Sequence, residues 1–269
     1  TPGYADFLGH ALPALAAVET AAIVINAQNG IEMMTGRFMH WAEQRGLDRI
    51  IIVNRIDAEN VDLAGLLESI QASFGKECLP LNLPAGGASR VSDCFFAPSG
   101  ESDFSSVEDA HRQLVDQVVE VDEALMAQYL EQGEVSPEAL HAPLERALRE
   151  GHLIPVVFTS AKTGTGIREL LEVIVKLLPN PTEGNPPPYI NTPTDGSAAT
   201  DLAAQPDPAR HALAYVFKIE IDPYVGRLAV FRVHQGRITA GSQLYIGDGK
   251  KPIKAAHLYR VCGKTQLEV

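Results

Sequence analysis

Three short runs, "AAIVIN" at 21–26, "RIIIVN" at 49–54 and "IPVVFT" at 154–159, constrain this chain more than anything else in it. Each is continuous, apolar and rich in β-branched residues, the pattern of a strand covered on both faces. Between the first two, Met33 to Arg45 carries apolar residues at helical spacing and ends at Gly46; after the third, Ile167 to Leu178 repeats the pattern and stops at Pro179. Strands alternating with helices predict a parallel α/β sheet. Such a sheet places its ligands at the C-terminal ends of its strands, so the residues after Val53 and Phe158 are where chemistry is expected.

One stretch interrupts the alternation. From Ala58 to Gly151 the chain makes a helix, a turn-rich "PAGGAS" with a possible strand pair, and further helices near 106–132 and 137–150. That is too long for a crossover connection and reads as an inserted subdomain. Residues 179–210 hold eight prolines and no apolar periodicity, as in a semi-rigid linker. Beyond it, "ALAYVFKIEID", "GRLAVFRVHQGRI" and "SQLYIGD" alternate apolar with polar residues between Gly, Pro and Asp turns, which predicts an antiparallel barrel or sandwich.

Composition narrows the functional classes. The 269 residues are 45% hydrophobic and 21% charged, which is globular rather than disordered. No run reaches the roughly 18 apolar residues of a membrane span, and no secretory signal pattern opens the chain. Cys78, Cys94 and Cys262 lie far apart and form no CxxC, which fits a reducing compartment, so a cytoplasmic protein is expected. The net charge of −12 argues against coating nucleic acid, because phosphates need a positive field. The charge is uneven, however: from His211 onward nine Lys and Arg face four acids, a local +5 that leaves −17 for the rest. That basic part either meets RNA locally or is an ordinary solvated β surface.

Two motifs stand where the sheet would put a ligand. "IIIVNRID" ends one strand with Asn54, Arg55 and Asp57, and "VVFTSAK" ends another with Ser160, Ala161 and Lys162. In guanine-nucleotide-binding proteins the Asp of the first accepts two hydrogen bonds from the base, the Asn fixes the loop, and a backbone N–H of the second reaches the base oxygen O6. Adenine would leave the carboxylate unpaired, and discrimination follows. Each motif alone is a weak signal; their placement after successive apolar strands, in the right order, is what carries the reading. The plain alternative is that Asn54 and Asp57 cap the next helix and Lys162 is a solvated surface residue. Arg55, at a position where Lys is usual, offers a flat guanidinium that can stack over a base. "KTGTGI" lacks the GxxxxGK[ST] spacing, so Gly164 and Gly166 are expected to make the turn into a helix, and no phosphate-binding loop occurs anywhere in the chain. The eight histidines and the acids of residues 107–150 show no metal-ligand spacing.

With these motifs in place, the chain resembles the translational GTPases, most closely elongation factor G. The family's switch segment DTPGHxDF is similar to the opening "TPGYADF", NKxD to "NRID" and SAx to "SAK". A subdomain inserted between the last two, and the stretch "FKIEIDPYVGRLAVFRVHQGRI", also resemble that family. The resemblance implies a P-loop-GTPase-type parallel sheet, incomplete and with an inserted α+β subdomain, followed by a partial antiparallel β-barrel. It divides the chain into a GTPase domain at 1–180 lacking its phosphate loop, an insert at about 58–152, a linker at 181–210 and the start of a barrel domain at 211–269.

The family's phosphate loop would lie upstream of Thr1 and further barrel strands after Val269, so an internal fragment is expected, inactive by itself and holding no tightly bound cofactor or metal. For the intact protein the resemblance implies GTP or GDP with Mg²⁺ and ribosome-stimulated hydrolysis coupled to translocation or a related step. Gly3 would contact the terminal phosphate, and Asn54, Arg55, Asp57, Ser160, Ala161 and Lys162 would bind the nucleotide. Tyr4 stands at the family's catalytic His; a phenol has no imidazole to do the same proton work, so it either slows hydrolysis or merely packs beside Phe7. The implied partners are the ribosome's large-subunit stalk protein, met by the insert, and ribosomal RNA, met by Arg227, Arg232 and Arg237; no membrane, and a monomer. The alternatives are a ribosome-associated GTP-binding regulator that hydrolyses little, or another translational GTPase such as a release-factor or ribosomal-protection relative.

Overall fold

The computed structural model describes residues 3–132, 135, 137–193, 197–224, 226–247, 249, 251–263 and 265–269, the side chains of 132, 137, 138 and 141 aside. Thr1 and Pro2, which open the switch-like segment, lie outside the described residues. The chain forms two compact units, Thr1–Asn185 and Pro186–Val269.

The first unit runs from a 3₁₀ turn (Ala5–Phe7) and α1 (Leu8–Leu15) through β1 (Thr20–Asn26), α2 (Met33–Gln44), β2 (Asp48–Asn54) and α3 (Leu63–Phe74). It continues through β3 (Cys78–Pro80), the hairpin β4 (Asn82–Ala85) and β5 (Arg90–Asp93), α4 (Val107–Val119), α5 (Glu123–Gln132), α6 (Pro137–Glu150), β6 (Ile154–Phe158) and α7 (Ile167–Lys176). Four of these strands form one parallel sheet in the order β1-β2-β6-β3. The expected parallel α/β layer is therefore present, and the long stretch after β2 contributes a strand, β3, to it.

Burial follows neighbours. β2 and β6 lie inside the sheet, and Ile50, Ile51, Val53, Ile154, Val156, Val157 and Phe158 are sealed off from water. β1 differs from the expectation of two covered faces: Ala21, Ile23 and Ile25 point into the core, whereas Val24 on the other face is 59% exposed. Ala22 and Val24 share that uncovered face, and β1 is also the edge of the sheet, with β2 as its one strand partner among the described residues. Local caps set the helix limits. Asp62 accepts from the Gly65 N–H at 2.9 Å to start α3, and Ser106 accepts from Asp109 N–H at 3.3 Å to start α4. Asp122 breaks the 106–132 helical stretch in two, accepting from the N–H groups of Ala124 and Leu125 at 3.1 Å. Leu114 and Val118 of α4 join Leu144 and Ala147 of α6 in the core cluster that the sheet shares.

The second unit is built from antiparallel pairs: β7 (Tyr189–Asn191) with β8 (Thr200–Leu202), β9 (Leu213–Asp222) with β10 (Gly226–Gln235), β11 (Gln243–Leu244) with β12 (Ile253–Lys254), and β13 (Tyr259–Cys262) with β14 (Thr265–Glu268). The pair β7 and β8 lies within the Pro-rich segment itself. Gln235, 6% exposed, ties the unit together: its Oε1 accepts from Gln205 N–H at 3.0 Å and its Nε2 donates to His211 O at 2.9 Å. Gly236 follows at φ 74, and a Cβ there would stand 2.6 Å from the Ala212 Cα, so no larger residue fits the turn. No described helix is long and apolar enough to cross a membrane.

Candidate functional site

β2 and β6 are neighbours in the sheet, and Val53 pairs with Phe158, so the NRID and SAK segments leave the sheet side by side. Their contact begins at Asn54. Its Oδ1 accepts from the Ala161 N–H at 3.0 Å and from its own neighbour, the Arg55 N–H, at 2.8 Å. One side-chain oxygen thereby stitches the two loops where the backbone ladder stops. Arg55 sits at φ 68, a left-handed conformation unusual for a residue with a Cβ. That kink buries Ile56, whose N–H donates to Thr159 O at 3.2 Å, and brings Asp57 back toward the SAK loop.

Asp57 meets Ser160. The Ser160 hydroxyl donates to Asp57 Oδ1 at 2.6 Å, and Lys162 Nζ stands 4.0 Å from Oδ2. The Ser160 hydrogen bond holds the Asp57 carboxyl below its ordinary range; desolvation opposes it, and the positive charges of Lys162 and Arg55 add smaller pulls downward. Asp57 is thus a carboxylate at neutral pH, an acceptor only. Lys162 is 85% exposed, and Arg55 and Ala161 are also open to solvent. Two cationic side chains therefore flank a fixed carboxylate at an open edge.

The SAK loop is fixed from its own side as well. Ser160 Oγ accepts from the Thr163 N–H at 3.2 Å, Ser160 N–H donates to Thr165 O at 2.8 Å, and Gly164 N–H donates to Ser160 O at 2.8 Å. Gly166 then opens α7 at φ 72, and a Cβ on it would lie 2.2 Å from Phe158 O. "KTGTGI" is therefore a tight turn into a helix, as its spacing predicts.

Gly3 and Tyr4 are not part of this cluster. Tyr4 is 76% exposed and precedes the 3₁₀ turn, its carbonyl accepting from the Phe7 N–H at 3.0 Å. A Cβ added to Gly3 would meet nothing within 4 Å. Neither makes a polar contact with Asn54, Asp57 or Ser160 among the described residues. No group of three or more His, Cys, Asp or Glu converges to hold a metal among the described residues.

Sequence reasoning missed three residues that hold this arrangement. Thr159 donates from Oγ1 to Val53 O at 3.3 Å, and Thr165 donates from Oγ1 to Ser89 O at 3.3 Å. Asn82, 2% exposed, contacts the backbone of Phe158 through its side chain. The available signal was a single polar residue inside the apolar "CLPLNLPA".

The profile of the elongation factor Tu GTP-binding domain matches residues 1–180, and that of elongation factor G domain 2 matches residues 211–269. An elongation factor G-like protein of Mycobacterium tuberculosis is 32% identical over 259 residues, 91% of this chain and 36% of its own length. Elongation factor G of Fervidobacterium nodosum is 29% identical over 273 residues, 94% of this chain and 38% of its own. A crystal structure of a Thermus thermophilus protein superposes with a TM-score of 0.75 at 31% identity, covering 100% of this chain and 39% of that one. The chain thus spans little more than a third of the length of the relatives it matches.

Proposed function

The chain belongs to the translational GTPases that share the elongation factor Tu GTP-binding domain, and from that premise we propose that the intact protein binds guanine nucleotides through the paired loops after β2 and β6. One observation carries the reading: an ionised Asp57, held by the Ser160 hydroxyl at 2.6 Å, beside a loop stitched to Asn54. Guanine offers N1–H and the amine at C2 to the Asp57 carboxylate, while adenine offers an acceptor at N1 and no amine at C2. The Ala161 N–H, now donating to Asn54, is shared with the base oxygen. Arg55 stacks its flat guanidinium over the ring, and Lys162 stands beside Asp57 at the open edge.

The intact protein acts as a translation factor of elongation factor G type, hydrolysing GTP on the ribosome to drive translocation or a related step. Support comes from the two successive profile matches and from the likeness to elongation factor G. Bound Mg²⁺ would supply charge neutralisation to the phosphates; we assign none of its ligands to the described residues. Gly3 contacts the terminal phosphate. The insert with α4 to α6 meets the stalk protein, and Arg227, Arg232 and Arg237 meet ribosomal RNA phosphates. This chain alone, with no phosphate-cradling loop in its sequence, binds nucleotide weakly and turns over no GTP.

Calorimetry with GTP, GDP and ADP on the full-length protein and on this chain tests the reading. Guanine nucleotides should outbind ADP by about 10²-fold or more in the full-length protein. Equal affinities would overturn the assignment of Asp57. Tyr4 is read as the residue that limits turnover, so Tyr4→His should raise ribosome-stimulated hydrolysis; an unchanged rate would take Tyr4 out of the catalytic account.

A further inference from the structure

The hairpin strand β4 begins at a residue with two duties. β3 pairs with β6 as far as Pro80 opposite Val156, and the Leu81 N–H adds one more bond, to Val156 O at 2.9 Å. There the chain turns away, and the Asn82 backbone pairs instead with Asp93 of β5. Phe158, two residues further along β6 and fully buried, is left with an N–H and a C=O facing a strand that has departed. The Asn82 side chain answers both: its Oδ1 accepts from the Phe158 N–H at 2.7 Å and its Nδ2 donates to Phe158 O at 3.2 Å. A primary amide is the side chain that presents a donor and an acceptor side by side, as a peptide does.

Phe158 is the last residue of β6, and Thr159, Ser160 and Ala161 follow without slack. Its carbonyl is also the atom that Gly166 approaches too closely to bear a side chain. A second tie from the same hairpin lies nearby, where Thr165 Oγ1 donates to Ser89 O at 3.3 Å. The turn that carries Ser89 is itself fixed by Asp103, which accepts from the Gly87 N–H at 3.0 Å and the Ala88 N–H at 2.8 Å.

We infer that Asn82 is a positioning residue for the base-reading loop: by taking over the strand rungs of Phe158 it sets where the Ser160 hydroxyl and the Ala161 N–H stand relative to the base. The inference rests on the guanine reading above. It assigns to the hairpin, beyond its place in the fold, a share in nucleotide affinity.

The test measures GDP, ADP and 6-thio-GDP binding to the full-length protein. In 6-thio-GDP sulfur replaces the base oxygen that the Ala161 N–H reads, so the ratio of its affinity to that of GDP reports the position of this donor. Asn82→Ala should weaken GDP about tenfold and shrink the discrimination against sulfur. Val118→Ala, a core change in α4 away from the loop, lowers the thermal midpoint and should leave both readouts at wild-type values. Should Asn82→Ala not fold, Asn82→Asp carries the test. Its carboxylate faces the Phe158 carbonyl and weakens GDP relative to the wild type at about pH 8, and protonation toward about pH 6 restores a donor and brings the variant-to-wild-type affinity ratio back up, the titration of the nucleotide's own phosphate being common to both. An Asn82→Ala variant that behaves like Val118→Ala, or an Asn82→Asp variant with no pH-dependent recovery, overturns the positioning role. A wild type that binds ADP as well as GDP overturns the guanine reading instead, and the two failures are distinguished by that first titration.

Discussion

Asp48, the first residue of β2, and Asp57, three residues past its last, are the same side chain at opposite ends of one strand. Burial pushes the Asp48 carboxyl up to about 6, although the charges of Arg149 and Arg49 pull it down and Glu19 pushes with the burial. Its Oδ1 has no hydrogen-bond partner among the described residues, and the residue is 2% exposed. Asp57 moves the other way because a hydroxyl donates to it. The difference is one of supplied donors. The N-terminal edge of this sheet is arranged for packing and holds a carboxyl whose charge burial disfavours; the C-terminal edge supplies a hydrogen bond that favours the charge where a ligand can use it.

The comparison is broken most directly at Asp57. Asp57→Asn replaces an acceptor pair with one acceptor and one donor, so GDP affinity of the full-length protein should fall by about 10³-fold. A xanthine nucleotide, which carries a carbonyl where guanine has its amine, should gain affinity in the same variant. Competition between GDP and XDP measures both at once. GDP binding left intact would mean that the carboxylate is ionised for reasons unrelated to a base.

Asp48 gives a smaller effect of opposite character. Its folded pKa lies above its unfolded value of 3.8, so the folded protein holds the proton more tightly. The stability this gives is complete below about pH 4 and is lost as pH rises through about 6. Asp48→Asn keeps the shape and removes the charge; at pH 7 it should stabilise the fold by about 2 kcal/mol and flatten the slope between pH 4 and 6. Denaturant titrations across that range check it. A destabilised variant would show that Arg49 and Arg149 depend on an ionised Asp48.

The sequence made one end of this comparison legible and hid the other. Asn54, Asp57 and Ser160 were visible because short polar residues directly followed apolar β-branched strands, and the parallel register then brings the strand ends together. β2 spans Asp48–Asn54 and β6 spans Ile154–Phe158, each within about a residue of its apolar run. β3, by contrast, is three residues long, ends in Pro80 and has no β-branched side chain, so no periodicity marks it. With β3 unseen, Asn82 had no strand to leave and its role at Phe158 could not be read. Asp48 was equally opaque: a charged residue before an apolar run reads as a solvated strand end until the neighbouring β1 and the arginine at 149 are placed around it.

Lys162 sharpens the comparison from its weakest side. Its Nζ is 4.0 Å from Asp57 Oδ2, which is the limit of an ion pair, and its side chain is 85% exposed. Water screens such a pair, and fixing a flexible lysine costs side-chain entropy that offsets the attraction. The hydroxyl of Ser160, at 2.6 Å, is the first cause of the lowered Asp57 pKa, with Lys162 well behind it. Lys162→Ala should therefore leave the thermal midpoint unchanged and weaken GDP about twofold, an effect that disappears at about 1 M salt. A loss of tenfold or more, persisting in salt, would place the lysine stem against the base itself and shift the origin of affinity from donor supply at Asp57 to contact over the ring.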